Sequence, residues 1–368
     1  MKFNYEMPTK VFAGELRDYT QEFTGYGDKA LIVTGRSSAS NGSLDDVLAI
    51  LGELHIAAVV FNGVEENPSD ENVMEAVRMG WDSGAKFIIG IGGGSPLDAA
   101  KAVALLVPNP DKSSADLWEA DSLEGRRRLP VLAIATTAGT GSEVTPFTIL
   151  TTHERQTKAS LPHFLFPDKA FLDAKYTVHM PDSVTLHTAT DALSHLIEGY
   201  LSSQANLLSD RLVESGLGVY GAEGGHLMAR MSERQFDIPV RNKLLINSAL
   251  AGIVITQTRT TLPHLMGYCL TYNKKTPHGA ACGILLAEYM RFHQNKEKVD
   301  NILRLLDLSN IDEFKEWLRH ILDLRLSVST DEIVDYTKVV CSNPEKLKTH
   351  PFPVAAGDIS DIFTRSIT

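Results

Sequence analysis

Between Lys29 and about Ala135 short apolar runs alternate with helical patterns. Ala30-Leu31-Ile32-Val33-Thr34 is apolar, β-branched and short, the texture of a strand covered on both faces. Ala57–Phe61, Phe87–Ile91 and Val131–Ala135 repeat it. A helical stretch near Leu44–Leu54 separates the first two. Asn67-Pro68-Ser69 opens the next helix, with Ser69 as its N-cap. This rhythm predicts βαβ units and a mostly parallel sheet, with ligands received at the carboxyl ends of its strands. From about Pro181 strand-like runs disappear. Asp182–Ser202, Ser209–Met231 and Asn242–Thr258 each hold several helical turns, and segments 311–323 and 330–342 read as helices too. The expected architecture is an α/β N-terminal dinucleotide-binding domain over 1–178 and an all-helical C-terminal domain over 179–368.

Two loops change this from a fold to a candidate function. Ile91-Gly92-Gly93-Gly94-Ser95-Pro96-Leu97-Asp98 joins a strand to a helix. Gly92, Gly93 and Gly94 allow backbone to approach a ligand without a Cβ in the way. Ser95 is placed to cap the helix ahead of Pro96. The amides and positive end of such a helix suit a pyrophosphate. GxGxxG and a Walker lysine are both absent, so a merely connecting turn is the bland alternative. Thr136-Thr137-Ala138-Gly139-Thr140-Gly141-Ser142-Glu143 follows the Val131–Ala135 strand and should reach the same sheet edge, its hydroxyls facing ribose and phosphate.

Asp191 and His195 are four apart, on one face of a predicted helix. Taken alone such a pair is ordinarily a surface or capping pair. His264 and His278 sit among small and apolar residues, as satisfied core histidines also do. Together the four would form a mixed N/O set suited to Fe(II) or Zn(II). His187, four before Asp191, competes on spacing. His153, His163, His320 and His350 fit less well.

Composition narrows the partners. The 368 residues carry 46 acidic against 35 basic side chains, a formal net charge of -11, with 43% hydrophobic. The densest basic cluster is Arg126-Arg127-Arg128, too little for a nucleic-acid or anionic-membrane footprint. No apolar run reaches the ~18 residues of a membrane span. Neither does the N-terminus resemble a secretion signal. Three cysteines without CxxC spacing fit a reducing compartment, so a cytoplasmic protein is expected.

In their order, Pro8–Gly14, Gly92–Asp98, Thr136–Glu143, Asp191–His195, His264 and Pro277-His278-Gly279 resemble the iron-containing (group III) alcohol dehydrogenase family from about residue 3 to the end. The resemblance implies a soluble homodimeric oxidoreductase working in a cleft between the two domains. Such an enzyme moves hydride between a nicotinamide and a small primary alcohol or aldehyde beside a divalent metal. It makes Asp191, His195, His264 and His278 the ligands. Gly92, Gly93, Gly94 and Ser95 become the pyrophosphate loop, with Asp98 near the nicotinamide. Asn67, Thr136, Thr137, Thr140 and Lys158 become cofactor contacts.

Two positions depart from the pattern. Many NAD-preferring members carry an acidic residue just after the first strand, where this chain has Gly35. With Arg36 and Ser37 beside it, that place suits a 2′-phosphate, so NADP is expected over NAD. Tyr268 stands where many members have a histidine assigned to proton relay. It keeps a hydroxyl, but phenols titrate far above imidazoles. Within the superfamily a glycerol, polyol or hydroxy-acid dehydrogenase is the nearest rival. A dehydroquinate synthase-type lyase and a non-catalytic dinucleotide-binding subunit are more distant ones. The lyase wants a basic pocket that the sequence does not show, and a non-catalytic subunit has no need of four filled ligand positions.

Overall fold

The computed structural model describes residues 4–152, 157–221 and 226–367. Two compact units emerge: Glu6–Met180, and Pro181–Thr368 with Asn4 and Tyr5 grouped with it.

In the first unit six parallel strands form one sheet. They are β1 (Lys10–Ala13), β2 (Lys29–Thr34), β3 (Ala57–Phe61), β4 (Phe87–Gly92), β5 (Val131–Ala135) and β8 (Lys169–Leu172). Their order is β1-β8-β5-β4-β2-β3. An antiparallel pair, β6 (Ile149–Thr152) and β7 (Thr157–Ser160), stands apart. The four strands legible as apolar runs form the middle of the sheet and one edge. β1 and β8 lie at the other edge, where Lys10 and Lys169 interrupt the apolar pattern.

Alternation along β2 shows why the central strands must be apolar throughout. Ala30 and Ile32 pack on one face with Phe23, Val47, Ile50 and Phe171. Leu31 and Val33 pack on the other with Val73, Val77, Ala100 and Val103. Every position of such a strand meets a core. The second face is covered by helices Asp70–Ser83 and Gly94–Leu106. Ser69 caps the former, its side chain accepting from Asn72 N at 3.2 Å.

Ser95 does not cap the latter. That helix begins at Gly94, with Gly93 as its extended N-cap. The glycines let the backbone turn into the helix one residue earlier, leaving Ser95 inside the first turn. Its hydroxyl instead accepts from Asn67 N at 3.1 Å.

All described regular elements of the second unit are helical, including Asp182–Leu201, Leu207–Tyr220, Ile238–Thr258, Leu262–Lys274 and His278–Gly283. Ser209–Met231, expected as one helix, is two: the first ends at Tyr220 and another spans Leu227–Ser232. Gly221 leaves the first in extended backbone, and a Cβ there would lie 2.2 Å from Leu305 O. Ile238–Thr258 is long and apolar enough to cross a membrane by length and composition. It is mostly buried, packed against Asp182–Leu201 and Leu207–Tyr220 as a core helix.

One buried charge network ties the loop after β5 to the Gly94–Leu106 helix. Asp98 Oδ1 accepts from Ser142 Oγ at 2.5 Å, and Oδ2 from Ile149 N at 2.9 Å. Lys101, fully buried, lies 3.0 Å from Asp98 and donates to Ser142 O and Thr145 O. Glu143 is buried beside it, and burial, only partly offset by its own backbone amide and by Lys101, pushes its pKa up to about 7. The neutral carboxyl is therefore the form that folding favours. Its contribution to stability is complete below the usual carboxylate range and is lost as pH rises through about 7. Glu143→Gln should match the wild type in chemical denaturation at pH 5 and exceed it at pH 8. Parallel pH dependences of the two proteins would contradict this.

Candidate metal centre and dinucleotide cradle

The cradle is built at the carboxyl ends of adjacent strands β4 and β5. Thr136 N donates to Gly92 O at 2.9 Å, closing the two loops together. Gly92 has φ +151°, a conformation that side chains resist. A Cβ on Gly93 would lie 2.8 Å from Thr137 Oγ1, and one on Gly94 2.9 Å from Thr140 Cγ2. These glycines are needed for loop to pack on loop, and they leave the first amides of the Gly94–Leu106 helix without side-chain caps.

Asn67 and Lys158 join this assembly. Asn67 holds φ +60°, donates its amide to Ser95, and accepts from the Lys158 ammonium through its side-chain oxygen. Thr151 Oγ1 donates to Asn67 O at 2.8 Å. The residues named as cofactor contacts therefore gather around one edge, with one difference. Both carboxylate oxygens of Asp98 are engaged within the protein, so the structure uses Asp98 to anchor a loop. Gly35 follows β2 at the same end of the parallel sheet, with Arg36 and Ser37 exposed beside it.

In the helical unit, Asp191, His264, His278 and Cys282 bring one donor atom each to within 4.8 Å of one another. Asp191 Oδ1 lies 3.5 Å from His264 Nε2 and 3.9 Å from His278 Nε2. Asp191 and His264 are almost wholly buried, and neither Asp191 Oδ1 nor His264 Nε2 has a hydrogen-bond partner. Buried polar atoms are seldom left so, and a cation between them would satisfy both. Burial opposes the charge on Asp191, yet His195, His264 and His278 hold its carboxyl well below the usual range. Burial likewise opposes protonation of His264, but Cys282, Glu198 and Asp191 hold it well above an ordinary imidazole. These anions hold a proton on His264 where a cation would otherwise sit, and a bound divalent ion would replace that proton at Nε2 and leave the imidazole neutral.

Local packing explains the convergence. Asp191 and His195 share a face of the Asp182–Leu201 helix, and the His195 ring stacks on His264 at 4.5 Å between centroids. His195 is not among the four mutually close donors. His278 opens a short helix that lies directly on the Asp182–Leu201 helix. A Cβ on Gly279 would sit 2.0 Å from His187 O and 3.0 Å from Asp191 N. Tyr268, on the Leu262–Lys274 helix, stacks its ring on His278 at 5.4 Å and 7°. His187, the rival by spacing, stays outside the cluster, because its side chain points toward Leu322 and Arg234. His163, His320 and His350 bind elsewhere, to Asp116 O, Ser232 O and Tyr289 respectively. His153 lies outside the described residues.

Glu198 is the group that sequence reading missed. Its Oε1 meets His264 Nδ1 at 2.5 Å, and its Oε2 accepts from Thr261 N at 2.7 Å and His264 N at 3.4 Å. One fully buried carboxylate therefore caps the Leu262–Lys274 helix and fixes the His264 ring with Nε2 toward Asp191. The signal was present: Asp191, His195 and Glu198 follow i, i+4, i+7, one continuous stripe.

Comparison with known proteins gives the family. Residues 8–174 match the family model for iron-containing alcohol dehydrogenases, and 185–335 match that for the C-terminal part of the Fe-containing alcohol dehydrogenase family. The chain belongs to the iron-containing alcohol dehydrogenase family. Membership makes it an NAD(P)-linked alcohol/aldehyde oxidoreductase. Lactaldehyde reductase of Escherichia coli (strain K12) is 33% identical over 287 residues, 77% of this chain and 73% of the relative. NADPH-dependent butanol dehydrogenase of Clostridium saccharobutylicum is 32% identical, over 73% and 68%. A crystal structure of an iron-containing alcohol dehydrogenase from Thermotoga maritima superposes with a TM-score of 0.90. It is 38% identical and covers 100% of this chain and 99% of that one.

Two substitutions test how the centre is held. Glu198→Gln should weaken metal binding by about 10- to 100-fold, the usual cost of losing the partner that orients a histidine ligand. Gly279→Ala should weaken it at least as much by prising the His278 helix away from Asp191. Titration of the apoprotein with a metal indicator checks both, and wild-type affinity in either variant would contradict the packing argument.

Proposed function

We propose that this enzyme interconverts short primary alcohols and aldehydes with NADP(H) in preference to NAD(H), at a divalent ion held by Asp191, His195, His264 and His278. Fe(II) is the first candidate and Zn(II) the second, since imidazole and carboxylate donors suit both. The observation that carries the reading is the pair of buried, unpartnered atoms, Asp191 Oδ1 and His264 Nε2, facing each other at 3.5 Å. Relatives named for lactaldehyde, butanol and 1,3-propanediol support a small oxygenated substrate. A homodimer belongs to the same reading and rests on the resemblance, while a cytoplasmic location rests on three cysteines without CxxC spacing.

When bound, the ion supplies Lewis-acid stabilisation of charge on a substrate oxygen. The nicotinamide supplies or accepts the hydride. What the chain contributes follows from its own contacts. Asp191 offsets part of the ion's charge. Glu198 keeps Nδ1 of His264 engaged, so that Nε2 is the nitrogen presented. Tyr268 fixes the plane of His278 by stacking, and its hydroxyl is the candidate for passing a proton. The uncapped amides at Gly93–Ser95 and the Lys158 ammonium hold the pyrophosphate end of the dinucleotide, and the threonines at 136, 137 and 140 its polar flanks.

Gly35 supports NADP because it sets no carboxylate against a 2′-phosphate, while Arg36 is exposed beside it. A Cβ there would lie 3.3 Å from Val64 O, a small adjustment. Gly35→Asp should move the ratio of kcat/KM toward NADH by about tenfold or more, the equivalent of ~1.4 kcal/mol. An unchanged ratio would remove the argument. For the reaction itself, the Fe(II)-loaded enzyme should oxidise NADPH with butanal, lose that activity on chelation and regain it on reloading. Activity indifferent to chelation would refute the metal assignment, and bound metal without turnover would direct attention to diols or hydroxy acids.

A further inference from the structure

We propose that Lys346 is a specificity-determining residue whose ammonium receives an anionic group at the far end of the substrate, so that the enzyme takes short aldehydes and alcohols bearing a carboxylate in preference to uncharged ones. The inference rests on the reading that such compounds react at the cluster around Asp191, His264 and His278. That cluster is closed on one side and open on the other. The side chains of Asp191 and His264 are 5% and 3% exposed, whereas that of His278 is 29% exposed. A substrate therefore reaches the centre past His278. Tyr268, itself partly exposed, stacks on the His278 ring at 5.4 Å between centroids. The Lys346 ammonium in turn lies 5.6 Å from the centre of the Tyr268 ring. Two ring contacts in series put a positive charge beside the open edge, within the span of a short carbon chain.

Two features set Lys346 apart from an ordinary surface lysine. It has no counter-ion: Lys274, Lys338 and Lys348 pair with Glu332, Asp335 and Glu345, while Lys346, partly buried, has no carboxylate partner among the described residues. An incoming anion has no existing ion pair to displace. Its backbone is also fastened. Lys346 N donates to Asn343 Oδ1 at 3.1 Å, and the turn Pro344–Leu347 packs on the Leu262–Lys274 helix. Thr349 Oγ1 reaches both Lys346 O, at 2.7 Å, and Thr260 O, at 2.9 Å, which ties the turn to the start of the helix that carries His264. A fixed stem and a head held over an aromatic face lose little freedom when an anion binds. On a chain with formal net charge -11 an anion is otherwise repelled, so a local cation decides whether one is accepted. The carboxylate takes no part in hydride transfer. Its contact is the same before and during reaction and is therefore read in KM.

The test compares 4-oxobutanoate with butanal, chains of equal length, using NADPH and the Fe(II)-loaded full chain. The wild type should favour 4-oxobutanoate by about tenfold or more in kcat/KM, mainly through KM. Lys346→Met, which keeps an apolar stem without the charge, should lower that ratio by about the same factor. Lys346→Arg should keep the preference, and so should Lys348→Met, which removes a neighbouring lysine paired with Glu345. Turnover of both aldehydes with no preference for the anion, or a preference that survives in Lys346→Met, overturns the inference and leaves the alcohol and aldehyde reading intact. A loaded enzyme that reduces neither aldehyde overturns both.

Discussion

The candidate metal centre depends on backbone packed against backbone. Gly279 lets the first turn of the His278–Gly283 helix rest on the peptide groups of His187 and Asp191, at a distance where any side chain would collide. Gly283 repeats the contact one turn later against Thr190, where a Cβ would lie 2.3 Å from Cγ2. Helices that touch through glycine are held closer than the usual 8–10 Å between axes. Short side chains on facing turns can then meet: Asp191 from one, His278 from the other. Longer residues at positions 279 and 283 would leave the same donors too far apart to share an ion.

That closeness has an electrostatic cost that the surrounding groups meet. A buried carboxylate and buried imidazoles are tolerable only when each compensates the others, because an isolated charge in a dry interior is expensive. Glu198 extends the compensation outward. It satisfies two backbone amides at the start of the Leu262–Lys274 helix and one ring nitrogen of His264. A single side chain thus joins helix capping to ligand orientation, so the stability of that helix and the presentation of Nε2 are coupled. The α/β unit applies the same logic with opposite polarity. Lys101, buried and ringed by carbonyls, pins the loop after β5 through Asp98 and Ser142. The glycine turn beside it keeps its amides available because the anchoring is done elsewhere.

Much of this was legible in the sequence, and the failures share a cause. The central strands were evident since burial on both faces forces continuous apolar runs, and the two loops were evident since glycines and hydroxyls cluster after those runs. β1 escaped because an edge strand tolerates a lysine that breaks the pattern, and β8, paired on both sides, because it is only four residues long and opens on Lys169. Ser95 read as a cap because serine before proline usually is one; a preceding glycine pair offered the chain an earlier start. For the metal centre, spacing brought Asp191 and His195 to one face, but only family resemblance joined them to His264 and His278 across more than sixty residues. Glu198 obeyed the same helical spacing and was passed over. A glutamate among aliphatic residues reads as an ordinary helix former. What reveals it is a contact between helices, and no period along one helix encodes its neighbour. The glycine at 279 is where the sequence does record a neighbour, because it marks the surface that another backbone must approach.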